Sequence, residues 1–172
     1  MKTMKNLYLI RHAKASWEDP HLQDADRPLT ELGQQDAHNM GKELKNLKII
    51  PDSIISSPAK RSINTAEIIA EELGFNITKI ITNPIIYSGG VEELVELIKA
   101  VDSKINTLLF FGHNPTLTWL THYLSDEAKM NIPTCGIVGI KFDMRSWSHL
   151  SDSESKLLTF MHPEHENIQS AI

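Results

Sequence analysis

Short apolar runs alternate along the chain with longer segments whose apolar residues recur at helical spacing. Four of the runs have the length of buried strands: residues 7–10, 52–56, 77–81 and 107–111. The helical segments between them are predicted to begin after Thr30, at Ser57-Pro58, at Val91 and at Asn114-Pro115. Apolar strands that alternate with helices are typical of a parallel sheet covered on both faces. The pattern therefore predicts an α/β fold, a three-layer α/β/α sandwich with a mostly parallel central sheet.

Suitable capping residues stand where these helices are predicted to begin. Thr30 and Ser57 have hydroxyl groups that accept hydrogen bonds from a first helical turn, and Pro58 follows Ser57 where helices tolerate proline. Asn114 precedes Pro115 in a similar way, so its first role is predicted to be that of a cap. On the first and fourth helices, the residues expected to face the core are Leu32, Met40, Leu44, Leu47, Leu117, Trp119, Leu120, Tyr123 and Leu124.

The last third of the chain has a different pattern. Residues 137–142 and 156–161 are predicted to be strands that pair as a hairpin around a polar loop at 146–155. The segment 84–87, which precedes the third helix, is predicted to be irregular. Residues 162–172 show no convincing periodicity and are expected to fray.

Composition and charge narrow the class of protein. The 172 residues suffice for one domain without a second core, so residues 1–172 are predicted to form a single domain. Seventeen Lys and Arg against 22 Asp and Glu leave a formal charge of −5, which argues against a nucleic-acid binder. The single cysteine, Cys135, can form no internal disulfide and is expected to be a small buried hydrophobe. Because no apolar run has the length of a signal-peptide core or a membrane span, we predict a cytoplasmic location and no membrane partner.

Four basic side chains follow strands in the predicted fold. Arg11 and His12 come directly after the first strand, and Arg61 lies in the first turn of the helix after the second strand. His113 follows the strand at 107–111 and precedes another helix start. Open α/β sheets bind ligands at the carboxyl ends of their strands, and free N–H groups at helix starts favour anions. The sequence therefore predicts a phosphate site at this edge.

These residue types suit phosphoryl transfer. An imidazole can attack phosphorus and carry the phosphoryl group as a covalent intermediate. The planar fork of an arginine holds two phosphoryl oxygens at once, which a lysine ammonium does not. A second histidine that faces the first can donate a hydrogen bond to the phosphoryl group or orient the water of the second step. Neither chemistry needs a metal or another cofactor, and we predict none.

Three stretches of the chain carry a resemblance to a known family. They are Leu9-Ile10-Arg11-His12-Ala13-Lys14, the segment from Ser56 to Ala66, and Gly112-His113-Asn114-Pro115. In this order and spacing they resemble the motifs of the histidine phosphatase (phosphoglycerate mutase-like) superfamily. The short chain and the loop from Asp26 to Gly33 are similar to the SixA-type phosphohistidine phosphatase branch. The resemblance covers about residues 5–125.

The resemblance implies a role for each matching residue. It makes His12 the phosphorylated nucleophile, places Arg11 and Arg61 on the phosphate, and has His113 complete the catalytic set. Four further residues are candidates for substrate binding at the entrance: Lys14, Ser16, Trp17 and Asn114. Trp17 could instead pack its loop against the domain, and either Asp24 or Asp26 could pair with Arg27 to shape the entrance.

The chain departs from the wider superfamily in lacking a clear general acid. Many members carry a glutamate in an insertion after the second helix, but here the corresponding region, 83–93, is short. Glu18, Asp19 and Glu92 are the weak candidates for an acid. His162 and His165 suggest a metal site, but no second cluster of ligands joins them in the sequence, so we predict no metal.

The resemblance implies a phosphatase that acts through a phosphohistidine on His12, with a phosphohistidine-bearing protein as its partner. A small-molecule phosphomonoesterase of the same superfamily is the first alternative, and its partner would be a small phosphorylated substrate. A non-catalytic phosphate-binding module is the second. The chain has neither a Gly-x-Gly-x-x-Gly motif after its first strand nor a Walker-type loop, which argues against a nucleotide-binding protein.

Overall fold

A mixed sheet of six strands forms the centre of the molecule in the computed structural model, which describes residues 4–165. The strands are β1 (Met4–Arg11), β2 (Ser53–Ser56), β3 (Ile81–Thr82), β4 (Thr107–Gly112), β5 (Ile137–Asp143) and β6 (Ser155–Met161). They lie in the order β3-β2-β4-β1-β5-β6, and the first four in that order are parallel to one another. β5 runs antiparallel to both of its neighbours, β1 and β6, which confirms the predicted hairpin and the mostly parallel sheet.

In the described part of the chain, five α-helices cover the two faces of the sheet. They are α1 (Glu31–Asn46), α2 (Lys60–Glu72), α3 (Ile85–Ser88), α4 (Val91–Lys99) and α5 (Thr116–Leu124). Alternate residues of β1 point to opposite faces: Leu7 and Leu9 join the core under α4 and α5, whereas Tyr8 and Ile10 join the core under α1 and α2. Two apolar cores on either side of one sheet confirm the three-layer sandwich.

The predicted N-cap is correct for α1 and wrong for α2. Thr30 caps α1, since its hydroxyl accepts a hydrogen bond from the Gly33 amide at 3.0 Å. The prediction that Ser57 caps the second helix is wrong, because α2 begins at Lys60 and Ala59 occupies the N-cap position. The Ser57 hydroxyl accepts a hydrogen bond from the Ala59 amide at 3.2 Å, outside the helix proper.

The segment between α2 and α4 differs most from the prediction. The strand predicted at 77–81 is a 3-10 turn (Ile77–Lys79) followed by the two-residue strand β3, because the Asn76 side chain accepts hydrogen bonds from the Thr78 amide and hydroxyl. The segment predicted to be irregular contains the short helix α3, which starts where the Asn83 side chain accepts a hydrogen bond from the Ile85 amide at 3.0 Å.

Four apolar helix residues predicted to face the core are exposed instead. Leu117, Leu120 and Leu124 form the buried stripe of α5, and Trp119 and Tyr123, four residues apart, form a second stripe that is more than half exposed. Leu32 and Leu47 of the first helical segment are exposed in the same way.

The connection between β5 and β6 is less polar than predicted. It contains a 3-10 helix (Trp147–Asp152) whose tryptophan is fully buried and donates a hydrogen bond to the Ile105 carbonyl at 2.8 Å. Residues 166–172 of the tail that was expected to fray lie outside the described residues, whereas His165 contacts Asp36 at 2.8 Å. Within residues 4–165, no helix has the length and apolar composition that crossing a membrane requires.

Candidate active site

The strand register brings the predicted site residues to one edge of the sheet. Arg11 pairs with Gly112 across β1 and β4, and Ser56 of β2 pairs with Phe111 on the other side of β4. His12 follows Arg11, and its backbone amide donates to the Gly112 carbonyl at 3.2 Å. The rings of His12 and His113 therefore face each other with centroids 5.2 Å apart, where the carboxyl ends of the parallel strands meet.

The hydrogen bond of the His12 ring assigns its neutral tautomer. Nδ1 lies 2.7 Å from the backbone carbonyl oxygen of Ala13, which can only accept. Nδ1 therefore carries the proton, and the lone pair of the neutral ring is on Nε2. The backbone is fixed as well, because the carbonyl of His12 accepts a hydrogen bond from the buried Cys135 at 3.0 Å. This burial confirms the prediction for Cys135.

The His113 ring is held from two sides. Its Nε2 lies 2.7 Å from the hydroxyl oxygen of Ser57, a fully buried residue at the end of β2. Tyr87, which belongs to α3, packs edge-on against the ring with centroids 5.5 Å apart. The ring orientation therefore depends on both the second strand and the short helix that the sequence did not predict.

Both histidines are held in the neutral form. Burial, together with the charges of His113, Arg61 and Arg11, lowers the pKa of His12 to about 3, although its bond to Ala13 acts in the opposite direction. Burial and Arg61 lower the pKa of His113 to about 4. A neutral imidazole keeps its lone pair, so the His12 ring is nucleophilic at neutral pH.

Arg11 is positioned from within the fold. Its Nη1 donates to the backbone carbonyl oxygen of Ile132 at 3.0 Å. The same carbonyl accepts a hydrogen bond from the Asn114 side chain at 2.8 Å, and the Ile132 amide donates to the hydroxyl of Thr118 at 3.1 Å. Because Ile132 and Thr118 are buried, Arg11 rests on a network that belongs to the core.

Arg61 is positioned by a loop residue. Its Nη1 donates to the backbone carbonyl of Asp24 at 2.7 Å, and its Nη2 donates to Oδ2 of the same aspartate at 2.9 Å. The Tyr87 hydroxyl also donates to Oδ2 at 2.7 Å, and Arg27 reaches Oδ1 at 3.2 Å. The bonds from Tyr87, Arg61 and Arg27 lower the pKa of Asp24 to about 2, so it is a carboxylate at neutral pH.

The comparisons with known proteins agree with this geometry. The family model of the histidine phosphatase superfamily (branch 1) matches residues 7–84. A chloroplastic protein of Arabidopsis thaliana is 30% identical over 151 residues, which span 83% of this chain and 69% of that protein. The chain belongs to the histidine phosphatase superfamily.

Two solved structures narrow the position of this histidine phosphatase within the superfamily. A proposed phosphohistidine phosphatase SixA from Nakamurella multipartitia has a TM-score of 0.80 at 25% identity and covers 94% of this chain and 97% of its own. A second proposed SixA protein, from Agrobacterium tumefaciens, has a TM-score of 0.76 at 27% identity and covers 92% and 99%. The chain is a phosphatase of the SixA type.

The predicted entrance residues of the phosphatase have diverse surroundings. Lys14 is exposed, and the backbone amide and carbonyl of Ser16 bond to Pro28 and Arg27. Trp17 is 77% exposed and stacks on the Arg27 guanidinium, 3.1 Å from its ring centroid, so it does not pack its loop against the domain.

The Asn114 amide is occupied by structural bonds. Its Oδ1 accepts hydrogen bonds from the amide and hydroxyl of Thr118, and its Nδ2 donates to Asn131 and Ile132. The prediction that Asn114 is the N-cap is wrong, because α5 begins at Thr116 and Pro115 occupies the N-cap position, although Asn114 still bonds to the first turn through the Thr118 amide. A role in binding the substrate stays a prediction.

The three candidate acids lie on the surface. Glu18, Asp19 and Glu92 are exposed, and Asp19 accepts a hydrogen bond from the His21 amide within its own turn. The capping glutamate of α4 is Glu93 rather than Glu92, because its Oε2 accepts from the Gly90 amide at 3.0 Å. Within the described part of the chain, no group of three or more His, Cys, Asp or Glu side chains is arranged to hold a metal ion.

Sequence reasoning missed three contributors to this site. Asp24 is predicted only as a partner of Arg27, a pairing that the structure confirms at 3.2 Å, and its contact with Arg61 was missed. Ser57 is predicted only as a helix cap, and Tyr87 is assigned no role. The sequence signal for Ser57 was its position directly after the second strand, because a hydroxyl group there can bond to a residue of the site instead of capping a helix.

Proposed function

We propose that this phosphatase hydrolyses its substrate through a covalent phosphohistidine on His12. In the first step the Nε2 lone pair forms an N–P bond while the bond between phosphorus and the leaving group breaks, and the leaving group takes a proton from water. In the second step a water oxygen bonds to phosphorus, the N–P bond breaks, and the water's protons pass to solvent and phosphate. The His12 tautomer, fixed by the Ala13 carbonyl, is the observation that carries this proposal.

The other three residues act on the transferring group. Arg11 and Arg61 place guanidinium charge beside the histidine pair, where it offsets the negative charge on the equatorial oxygens of the phosphoryl group. His113 faces His12 across 5.2 Å and is in position to hydrogen-bond a phosphoryl oxygen or the water of the second step. Fixed donors of this kind need no reorganisation during the reaction, which is the usual source of their effect.

The carboxylate of the site favours phosphohistidine as the substrate. Expelling an alkoxide requires a proton in the transition state, and a positioned acid contributes about 10²–10⁴ in rate. Asp24, the carboxyl group that the structure brings to Arg61, is ionised and carries no proton for that step. Imidazole is a far weaker base than an alkoxide and can be protonated in solution, so its departure depends less on an acid.

The surroundings of the site also favour a substrate presented by a protein. Only residues 83–90 connect β3 to α4, so no long insertion covers the histidine pair from that side. A phosphorylated side chain on a protein surface can then approach, and we propose such a protein as the partner. A small-molecule phosphomonoesterase remains the second candidate, since the same residues would act on a small phosphate ester.

A panel of substrates at one pH tests this proposal. The expected order of kcat/KM places a phosphohistidine peptide and an aryl phosphate well above glycerol phosphate and glycerate phosphates. The series is run with and without a chelator, and we expect no change because the arginines supply the positive charge. Comparable hydrolysis of glycerol phosphate would contradict the substrate assignment, and loss of activity on chelation that one metal restores would contradict metal independence.

A further inference from the structure

We propose that Asp24 is a positioning residue for Arg61, which lies in the first turn of α2. The carboxylate holds the guanidinium in the orientation that binds the phosphoryl group. This inference rests on the proposed function, which assigns Arg61 to that group. Asp24 itself touches neither substrate nor nucleophile in this scheme.

The hydrogen bonds of Arg61 leave part of its fork available. A guanidinium has five N–H groups, and the structure shows two of them donated to Asp24, one from each terminal nitrogen. The bonds to Asp24 do not use the other three N–H groups, which include the one on Nε. Because the side chain of Arg61 is only 9% exposed, its approach to a ligand is set by how Asp24 holds it.

Asp24 is fixed independently of Arg61. The Tyr87 hydroxyl donates to Oδ2 at 2.7 Å and Arg27 donates to Oδ1 at 3.2 Å. Arg27 is tied in turn to the Ser16 carbonyl at 2.9 Å and stacks on Trp17. The carboxylate is therefore held by α3 and by the loop. This arrangement suits a rigid support for Arg61 better than a group that a bound phosphate displaces.

The backbone carbonyl of Asp24 also supports the positioning role of this residue. In one of the two bonds, Arg61 Nη1 donates to the backbone carbonyl of Asp24 at 2.7 Å, and a phosphate competing for the carboxylate position would leave this bond in place. The negative charge on the side chain also strengthens the bond from Nη2, since charge-assisted hydrogen bonds are about twice as strong as neutral ones. An uncharged amide at this position should therefore hold Arg61 less firmly.

A double-mutant cycle on the full chain tests the proposal. Asp24→Ala should lower kcat/KM for an aryl phosphate by about 10–100-fold, the usual effect of removing a supporting partner. In an Arg61→Ala background the same change should have an effect of less than about twofold, because a positioning residue acts only through its arginine. Asp24 and Asp26 belong to one 3-10 turn (Asp24–Asp26), so Asp26→Ala is the matched control and should leave kcat/KM within about twofold of the parent value.

Two further measurements separate positioning from a structural role. Asp24→Asn keeps an acceptor without the charge, and we expect it to retain more activity than the alanine variant. Calorimetric titration of each variant with inorganic phosphate should show weaker binding in both, in parallel with kcat/KM. This readout does not require turnover, so it stays informative if no phosphoenzyme forms on His12.

Two results would overturn the proposal. Tighter phosphate binding or faster turnover in Asp24→Ala would show that the carboxylate competes with phosphate for Arg61. Equal losses on Asp24→Ala with and without Arg61 would show that Asp24 acts elsewhere. Failure of the proposed function is distinguishable, since it would abolish the phosphoenzyme in the unmodified protein and leave the calorimetric comparison intact.

Discussion

Arg11 and Arg61 act on the same pair of histidines, His12 and His113, but different parts of the fold hold the two arginines. Arg11 ends a central strand and donates to the Ile132 carbonyl, whose residue is fixed by Asn114 and Thr118 in the core. Arg61 lies in the first turn of α2 and donates to Asp24, whose side chain is 48% exposed on the loop that precedes α1. One arginine rests on neutral backbone groups inside the fold, and the other rests on an anion at its surface.

Because of this difference, we expect changes near the two arginines to have different effects, one mainly on the stability of the fold and the other mainly on the reaction. The support of Arg11 is built when the sheet and α5 pack, so perturbing it should cost folding free energy. The support of Arg61 depends on a surface loop and a charge, so perturbing it should change the reaction more than the fold. The charges of both arginines lower the pKa values of His12 and His113.

The largest effect is expected from the arginines themselves. Arg11→Ala and Arg61→Ala should each lower kcat/KM by about 10²–10³, the usual effect of removing one donor that stabilises the transition state. Arg61→Lys should also be harmful, because an ammonium group cannot reproduce the two bonds of the fork to Asp24. Steady-state kinetics measure both effects. Near-normal turnover in Arg61→Lys would show that a point charge suffices at this position.

The two supports should differ in their effect on stability. Thr118→Val removes the hydroxyl that accepts from the Ile132 amide, and an unsatisfied buried group of this kind costs about 1–3 kcal/mol in the free energy of unfolding. Thr116→Val, in the same helix, is the control and should change it by less than about 0.5 kcal/mol. Denaturant titration measures these values. Equal losses in the two variants would show that the network supporting Arg11 contributes nothing to the fold.

Titration of the two histidines should show the effect of their burial and of the arginine charges on their pKa values. In the unfolded chain a histidine titrates at about pH 6.5, whereas in the folded chain burial first and the arginines second hold the pKa values of His12 and His113 at about 3 and 4. The unfolded state then binds more protons between these limits, so the free energy of unfolding should fall as the pH is lowered from about 6.5. Ring signals in NMR spectra should show both histidines neutral at pH 6, and Arg61→Ala should raise the pKa of His12 slightly. A midpoint near 6.5 for His12 would contradict the described environment.

Stronger acid also affects the support of Arg61. Asp24 titrates at about 2 in the folded chain, below its ordinary value of 3.8, because Tyr87, Arg61 and Arg27 bond to the ionised form. Its contribution to stability is therefore present above pH 3.8 and is lost as the pH falls through the lower value. The histidines and the aspartate thus make the site sensitive to acid in successive ranges.

The sequence predicted the parts of the site that follow directly from strand ends. Arg11, His12 and His113 are next to buried strands, and the apolar pattern locates those strands without knowledge of their partners. The supports were beyond its reach because they join distant positions. Arg11 and Ile132 are 121 residues apart, Tyr87 and Asp24 are 63 apart, and Arg61 and Asp24 are 37 apart. Periodicity carries no information about which loops meet across the sheet.

The errors in the fold have a related physical cause. Two stripes of apolar residues on α5 both have helical spacing. Only packing decides that the stripe containing Leu120 is buried and the stripe containing Trp119 is exposed. Side chains that bond to nearby backbone groups also override local propensity, as Asn76 does at the start of the 3-10 turn and Asn83 does before α3. The second effect explains the errors in the segment that connects α2 to α4.

Locating the phosphoryl group during turnover shows directly whether His12 is the nucleophile. The protein is mixed with an aryl phosphate and quenched in alkali within milliseconds, which preserves phosphohistidine, and peptides are then mapped by mass spectrometry. The account predicts a phosphoryl group on His12, up to one per chain, that His12→Ala abolishes and His38→Ala, a change at an exposed histidine on α1, does not. A phosphoryl group trapped on His113 or any other residue, or full turnover in His12→Ala, would contradict it.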